Sequence, residues 1–118
     1  MASRAFGSGA PIFEAKAELF RVMAHPARVR ALEVLAGGEQ SVGDLASEVG
    51  IEASHLSQQL GIMRRAGLVS ARREGSTVYY SIAEPLLVEL LAVARRLLIA
   101  SLSQSRDLLA HLESPESS

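Results

Sequence analysis

From Ile12 onward apolar residues recur at helical spacing. Ile12, Phe13, Leu19, Phe20, Val22 and Met23 alternate with Glu14, Glu18 and Arg21, the repeat of an amphipathic helix. His25-Pro26 ends this helix, because a residue before proline avoids helical angles, and Pro26 opens the next as its first residue. The second helix is predicted from Pro26 to Ala36, with Val29, Leu32 and Leu35 inward and Gly37-Gly38 as its stop. Ser41-Val-Gly-Asp44 has the form of a capping box, predicting a short helix that runs to Val49 and stops at Gly50. Ser54 is expected to cap a further helix, 54–66, whose apolar face is Leu56, Leu60 and Met63. A short helix, a glycine-bearing turn and a second helix make a helix-turn-helix pattern.

Period two then takes over. Leu68 to Arg73 and Thr77 to Ile82 flank Glu74-Gly75-Ser76, which predicts a β-hairpin over 68–82 with Val78, Tyr80 and Ile82 facing the core. Glu84-Pro85 opens a last helix reaching about Leu112, roughly 42 Å long at the standard rise. The expected fold is mostly α with a small β-hairpin, a winged helix-turn-helix in the order α-α-α-α-β-β-α. Residues 1–11 read as a flexible leader, 12–112 as one domain and 113–118 as a polar tail.

Composition narrows the function. The 118 residues suit one small domain, and 48% hydrophobic content supports a core. Cysteine is absent, which removes disulfides, thiolate metal sites and cysteine nucleophiles together. Aromatics at 4% argue against base-stacking platforms. The most apolar stretch, Leu86 to Leu102, carries Glu89, Arg95 and Arg96, so no membrane span is expected. The N-terminal run lacks the apolar core of a signal peptide, an expectation of cytoplasmic location. No glycine-rich phosphate loop, nucleophile elbow or carboxylate cluster is evident, and no enzyme is expected.

The net charge of −1 hides an uneven distribution. Between residues 12 and 53 four cations face seven carboxylates, whereas 54–82 holds Arg64, Arg65, Arg72 and Arg73 against Glu74 alone. A basic segment between acidic ones points to a localised anionic partner. Opposite the apolar face of helix 54–66 lie Ser54, His55, Gln58, Gly61 and Arg65, groups suited to base edges in a major groove. Arg72, Arg73, Ser76 and Thr77 on the hairpin suit phosphates or a minor groove, holding register rather than reading sequence. The plainer alternatives are a solvated helix face and strand charges that block edge pairing.

Four segments in order, Met23-Ala-His-Pro-Ala-Arg-Val-Arg-Ala-Leu32, Ser54-His-Leu-Ser-Gln-Gln-Leu60, Arg64-Arg-Ala-Gly-Leu-Val69 and Gly75-Ser-Thr-Val-Tyr-Tyr80, resemble the ArsR/SmtB family of bacterial transcriptional repressors over about residues 12–100. The resemblance implies a repressor of double-stranded DNA, with Ser57, Gln58 and Gln59 at the DNA-facing part of the recognition helix and Arg64 beside Arg65. It also implies a homodimer through the first and last helices, here Phe13, Phe20, Leu87, Leu90, Leu91, Leu97 and Leu98, and hence a palindromic operator. The last helix is apolar on more than half its circumference, which independently asks for burial on more than one face.

The family's metal sites are missing from this sequence. The thiolate run that the resemblance aligns on the helix before recognition is Ser41-Val-Gly-Asp-Leu45, and the zinc-type positions on the last helix fall at Glu84, Leu86, Leu97 and Ala100. Leucine cannot ligate zinc. Asp107 and His111, four residues apart, form half a metal site that a dimer would have to complete, or simply a solvated pair. No cofactor is expected. An unknown apolar small-molecule effector between the first and last helices, or a change in abundance alone, remains as the means of control. The rival classes are a metal-responsive repressor using Asp107 and His111, and a winged-helix module that binds protein without DNA.

Overall fold

The computed structural model describes residues 9–113, so most of the expected leader (1–8) and tail (114–118) lies outside the described residues. Two compact units meet at Val88 and Glu89. The first contains α1 (Ile12–Met23), α2 (Pro26–Leu35), β1 (Gln40–Ser41), α3 (Val42–Val49), α4 (Ala53–Arg65), β2 (Val69–Glu74), β3 (Thr77–Ile82) and the first residues of α5 (Leu86–Glu113). The arrangement is a winged helix-turn-helix.

Local chemistry sets the boundaries. His25 is extended, and its Nδ1 accepts a hydrogen bond from the Ala27 amide at 3.1 Å, capping α2 ahead of Pro26. Ser41 Oγ accepts from the Asp44 amide at 3.1 Å and caps α3. Gly50, at φ 85, turns the chain out of α3 in a left-handed conformation that costs glycine little. One expected cap is corrected: α4 begins at Ala53 with Glu52 as its N-cap and no side-chain cap bond. Ser54 already lies inside the helix, and its hydroxyl donates to Glu52 Oε1 at 3.4 Å.

The core of this unit lies between α2, α3 and α4. Leu32, Leu45, Leu56, Leu60 and Met63 are its largest fully buried side chains; all but Leu45 lie on the faces that the spacing assigned inward. Leu68 and Val69 close one edge, and Tyr80 faces the core as its period-two position requires, with Val78 and Ile82 half-buried on the same side.

The hairpin pairs Val69 with Ile82 through Glu74 with Thr77, leaving Gly75-Ser76 as its two-residue turn. Gly75 sits at φ 64, an angle glycine adopts without a steric penalty. The expected strand count needs one correction. A third strand, β1, pairs Gln40 with Tyr80 and Ser41 with Tyr79, giving an antiparallel sheet in the order β1-β3-β2. Two residues carry no periodic signal, and the pairing is made by backbone groups far apart in sequence.

Leu87 corrects another expectation. At 4% exposure it is already covered within the chain, so its apolar surface is spent on the protomer's own core. By contrast Ile12, Phe13 and Phe20 stand exposed on α1 while Ala15, Val22 and Met23 face inward. The second unit is the remainder of α5. There Leu97, Leu98 and Leu102 are among the exposed apolar side chains, and Leu90 and Leu91 are half-buried. Among the described residues no helix is long and apolar enough to cross a membrane.

Candidate nucleic-acid interface

α4 presents two faces of opposite character. Leu56, Leu60 and Met63 anchor it in the core, while Ser54, His55, Ser57, Gln58, Arg64 and Arg65 are all exposed. Burial of the apolar stripe therefore dictates which side chains reach solvent. Gly61 lies beside the Arg65 guanidinium: a Cβ built there would approach Arg65 Nη1 to 3.4 Å. That is an ordinary van der Waals distance, so a methyl group would also fit beside the guanidinium.

Gln59 departs from the expected DNA-facing set. It is buried, at 8% exposure, and its Oε1 accepts a hydrogen bond from Arg28 Nε at 2.7 Å. It lies three residues after Leu56 and four before Met63, so helical geometry turns it inward with them, away from the face that carries Gln58.

Arg72 departs as well. Its Nε and Nη2 donate to the two carboxylate oxygens of Glu39, both at 2.8 Å, and its Nη1 donates to Glu74 Oε1 at 2.7 Å. The guanidinium also lies 4.5 Å from the centre of the Tyr79 ring, its cross-strand neighbour. The hydrogen bond from Arg72 holds the Glu39 carboxyl below its usual range, and Glu39 and then Glu74 raise Arg72 in turn. Arg72 is thereby committed within the protein, with two carboxylates outweighing its charge. Arg73, next along β2, is exposed on the wing. The sequence contained no sign of Glu39 or Tyr79 as partners, because Glu39 lies 33 residues from Arg72 and on the far side of the helix-turn-helix.

An open recess of about 490 Å³ brings the remaining pieces together. Ser57 of α4, Ser76 and Thr77 of the wing tip, and Ser41, Val42 and Gly43 at the start of α3 line it. Ser57, Ser76 and Thr77, predicted from separate segments, therefore line one recess, together with Ala53 and Val78. Val42 and Gly43 were not anticipated, since neither carries a polar side chain. Asp107 and His111 lie on α5; among the described residues no group of three His, Cys, Asp or Glu side chains is placed to hold a metal ion.

Residues 25–71 match the model of the bacterial regulatory protein, arsR family. An HTH-type transcriptional regulator of Mycobacterium tuberculosis strain H37Rv is 56% identical over 94 residues, covering 79% of this chain and 82% of the relative. The chain belongs to the ArsR family. The crystal structure of that mycobacterial regulator superposes with a TM-score of 0.74 at 55% identity, covering 80% of this chain and 96% of the other. A homodimeric winged helix-turn-helix DNA-binding domain from Mycobacterium bovis is also similar, with a TM-score of 0.71, 30% identity, and 79% and 86% coverage. So is the transcriptional repressor BigR from Xylella fastidiosa, with a TM-score of 0.66, 34% identity, and 70% and 84% coverage. As an ArsR-family protein the chain is a DNA-binding transcriptional regulator, and regulators of this family are not enzymes.

Proposed function

We propose that the protein is a homodimeric repressor of a palindromic operator, with α4 in the major groove and the wing on the DNA backbone or minor groove. The observation that carries this reading is the exposed polar face of α4 beside a recess that Ser57 shares with Ser76 and Thr77 of the wing tip. Ser54, His55, Ser57, Gln58 and Arg65 read base edges from that face. Arg64, Arg73, Ser76 and Thr77 hold phosphates. Gln59 is left out of the contact set because it is buried and bonded to Arg28, and Arg72 because its guanidinium is paired at the surface with Glu39 and Glu74.

Dimerisation uses the apolar side chains exposed on α1, Phe13 and Phe20, and on α5, Leu97 and Leu98. Large exposed apolar groups on both helices ask for a partner, and a second copy supplies a two-fold pair of reading heads. Two-fold symmetry sets half-sites about 34–36 Å apart, one turn of the duplex. With DNA as its partner, the protein works in the cytoplasm.

Gel-shift titration against a random duplex pool over a range of salt, followed by sequencing of the bound fraction, tests this. Salt-dependent binding and enrichment of an inverted repeat are expected. A protein-binding module would give neither. Sedimentation of the free protein should give the mass of a dimer, and a monomer up to the concentrations used in binding would refute the two-fold arrangement.

A further inference from the structure

The side chain of Arg28 joins three helices. It springs from α2, donates from Nε to Gln59 Oε1 on α4 at 2.7 Å, and donates from Nη1 to the Val22 carbonyl in the last turn of α1 at 2.9 Å. That carbonyl is one of the terminal helix acceptors that lack a partner within their own helix. Gln59 is the sole polar or charged residue buried in the core among the described residues. Its neighbours on the inner face, Leu56, Leu60 and Met63, are fully buried, and apolar packing of this kind is non-directional. It seats α4 without by itself fixing how far the helix rolls about its axis. A planar guanidinium with donors in a rigid fork adds direction to the contact.

We propose that Arg28 and Gln59 are a positioning pair that fixes the roll of α4 against the end of α1, and so determines how selectively the outer face of α4 reads DNA; this rests on α4 being the recognition helix. Gln58 and Gln59 are adjacent but divide the labour. One faces out to a base edge, and the other faces in and sets the angle from which its neighbour reaches. Bidentate base contacts tolerate little displacement, so loss of the pair lowers discrimination between sequences far more than it lowers attraction to phosphates.

The test uses the full-length protein, a duplex selected by the wild type from a random pool, and the unselected pool itself. Gln59→Met removes the acceptor at similar side-chain length, whereas Gln59→Glu keeps an acceptor for Arg28. Gln59→Met is expected to cut the preference for the selected duplex about tenfold, with affinity for the pool within about twofold of wild type, since charge-assisted hydrogen bonds are strong and phosphate contacts are untouched. Gln59→Glu should restore the preference to within about threefold. Unchanged preference in Gln59→Met overturns the proposal, and so does an equal loss in Gln59→Glu. Should Gln59→Met fail to fold by circular dichroism, Arg28→Lys, which keeps the charge but loses the fork, decides by the same measure: reduced preference supports the pair and unchanged preference overturns it. Wild-type protein with no sequence preference would instead bring down the DNA-reading role of α4, and the pair with it.

Discussion

The two neighbouring wing arginines should behave differently when removed. Arg73 is exposed on β2, whereas Arg72 is held by Glu39 and Glu74. If Arg73 meets one phosphate per protomer, a dimer loses two such contacts in Arg73→Ala, and the slope of log affinity against log salt should flatten by about 1.8. Over a fourfold rise in salt that difference amounts to about tenfold in affinity, well within reach of fluorescence anisotropy on a labelled duplex. Arg72→Ala alone is ambiguous, because it uncovers two carboxylates beside the DNA. The informative variant is the double change Arg72→Gln with Glu39→Gln, which removes the pair without altering the net charge. Its salt slope should match wild type, with affinity within about twofold. The reasoning is refuted if Arg73→Ala keeps the wild-type slope, or if the charge-neutral double variant flattens it as Arg73→Ala does.

Gln58→Ala and Arg65→Ala should each weaken binding to a selected duplex by about 1–3 kcal/mol while the sedimenting mass stays unchanged; equal affinity in both would move the reading head off this face. The Arg72 guanidinium keeps the Glu39 carboxyl below its usual range, so the stabilisation from this pair is present above the unfolded carboxylate's ordinary value and lost as pH falls through the lowered folded one. The urea stability of wild type and Glu39→Gln should therefore differ by a constant amount from neutral pH downward and converge only in acid; a gap that widens on acidification would contradict the pairing. Stoichiometric arsenite, cadmium or zinc should not release the protein from DNA, since the chain has no cysteine and places Leu86 and Leu97 at two zinc-type positions. Release by zinc that is abolished in His111→Ala would show Asp107 and His111 to be a sensor.

What could be read in advance divides along physical lines. Leu32, Leu56, Leu60 and Met63 announced themselves because burial repeats at the helical period, and Ser41 because a cap depends on one residue and its next few neighbours. The two strands of the hairpin followed from alternation around a glycine turn, but their register did not: Glu74, expected in the turn, pairs with Thr77. Three things escaped for a common reason. The strand at Gln40–Ser41, the Glu39–Arg72 pair and the Arg28–Gln59 bond each join residues about thirty or more positions apart, and a single long polar side chain leaves no periodic trace. Gln59 was misassigned by its neighbour: adjacent glutamines look alike in sequence, and a 100° step around a helix puts them in different environments. Leu87 was counted with the leucines beyond it because the period does not show where one protomer's core stops.

Ser41 holds two posts at once. Its backbone is a rung of the sheet opposite Tyr79, while its hydroxyl closes the first turn of α3. The middle of the wing and the front of the helix-turn-helix consequently share a single residue rather than being strung on a free loop. In the proposed complex, a displacement of the hairpin near Tyr79 would therefore be felt at the start of α3 through Ser41. Toward the turn, Thr77 and Val78 of β3 lie beyond that rung and pair only with β2. In the proposed complex, the end of the hairpin rather than this rung would meet grooves of different width.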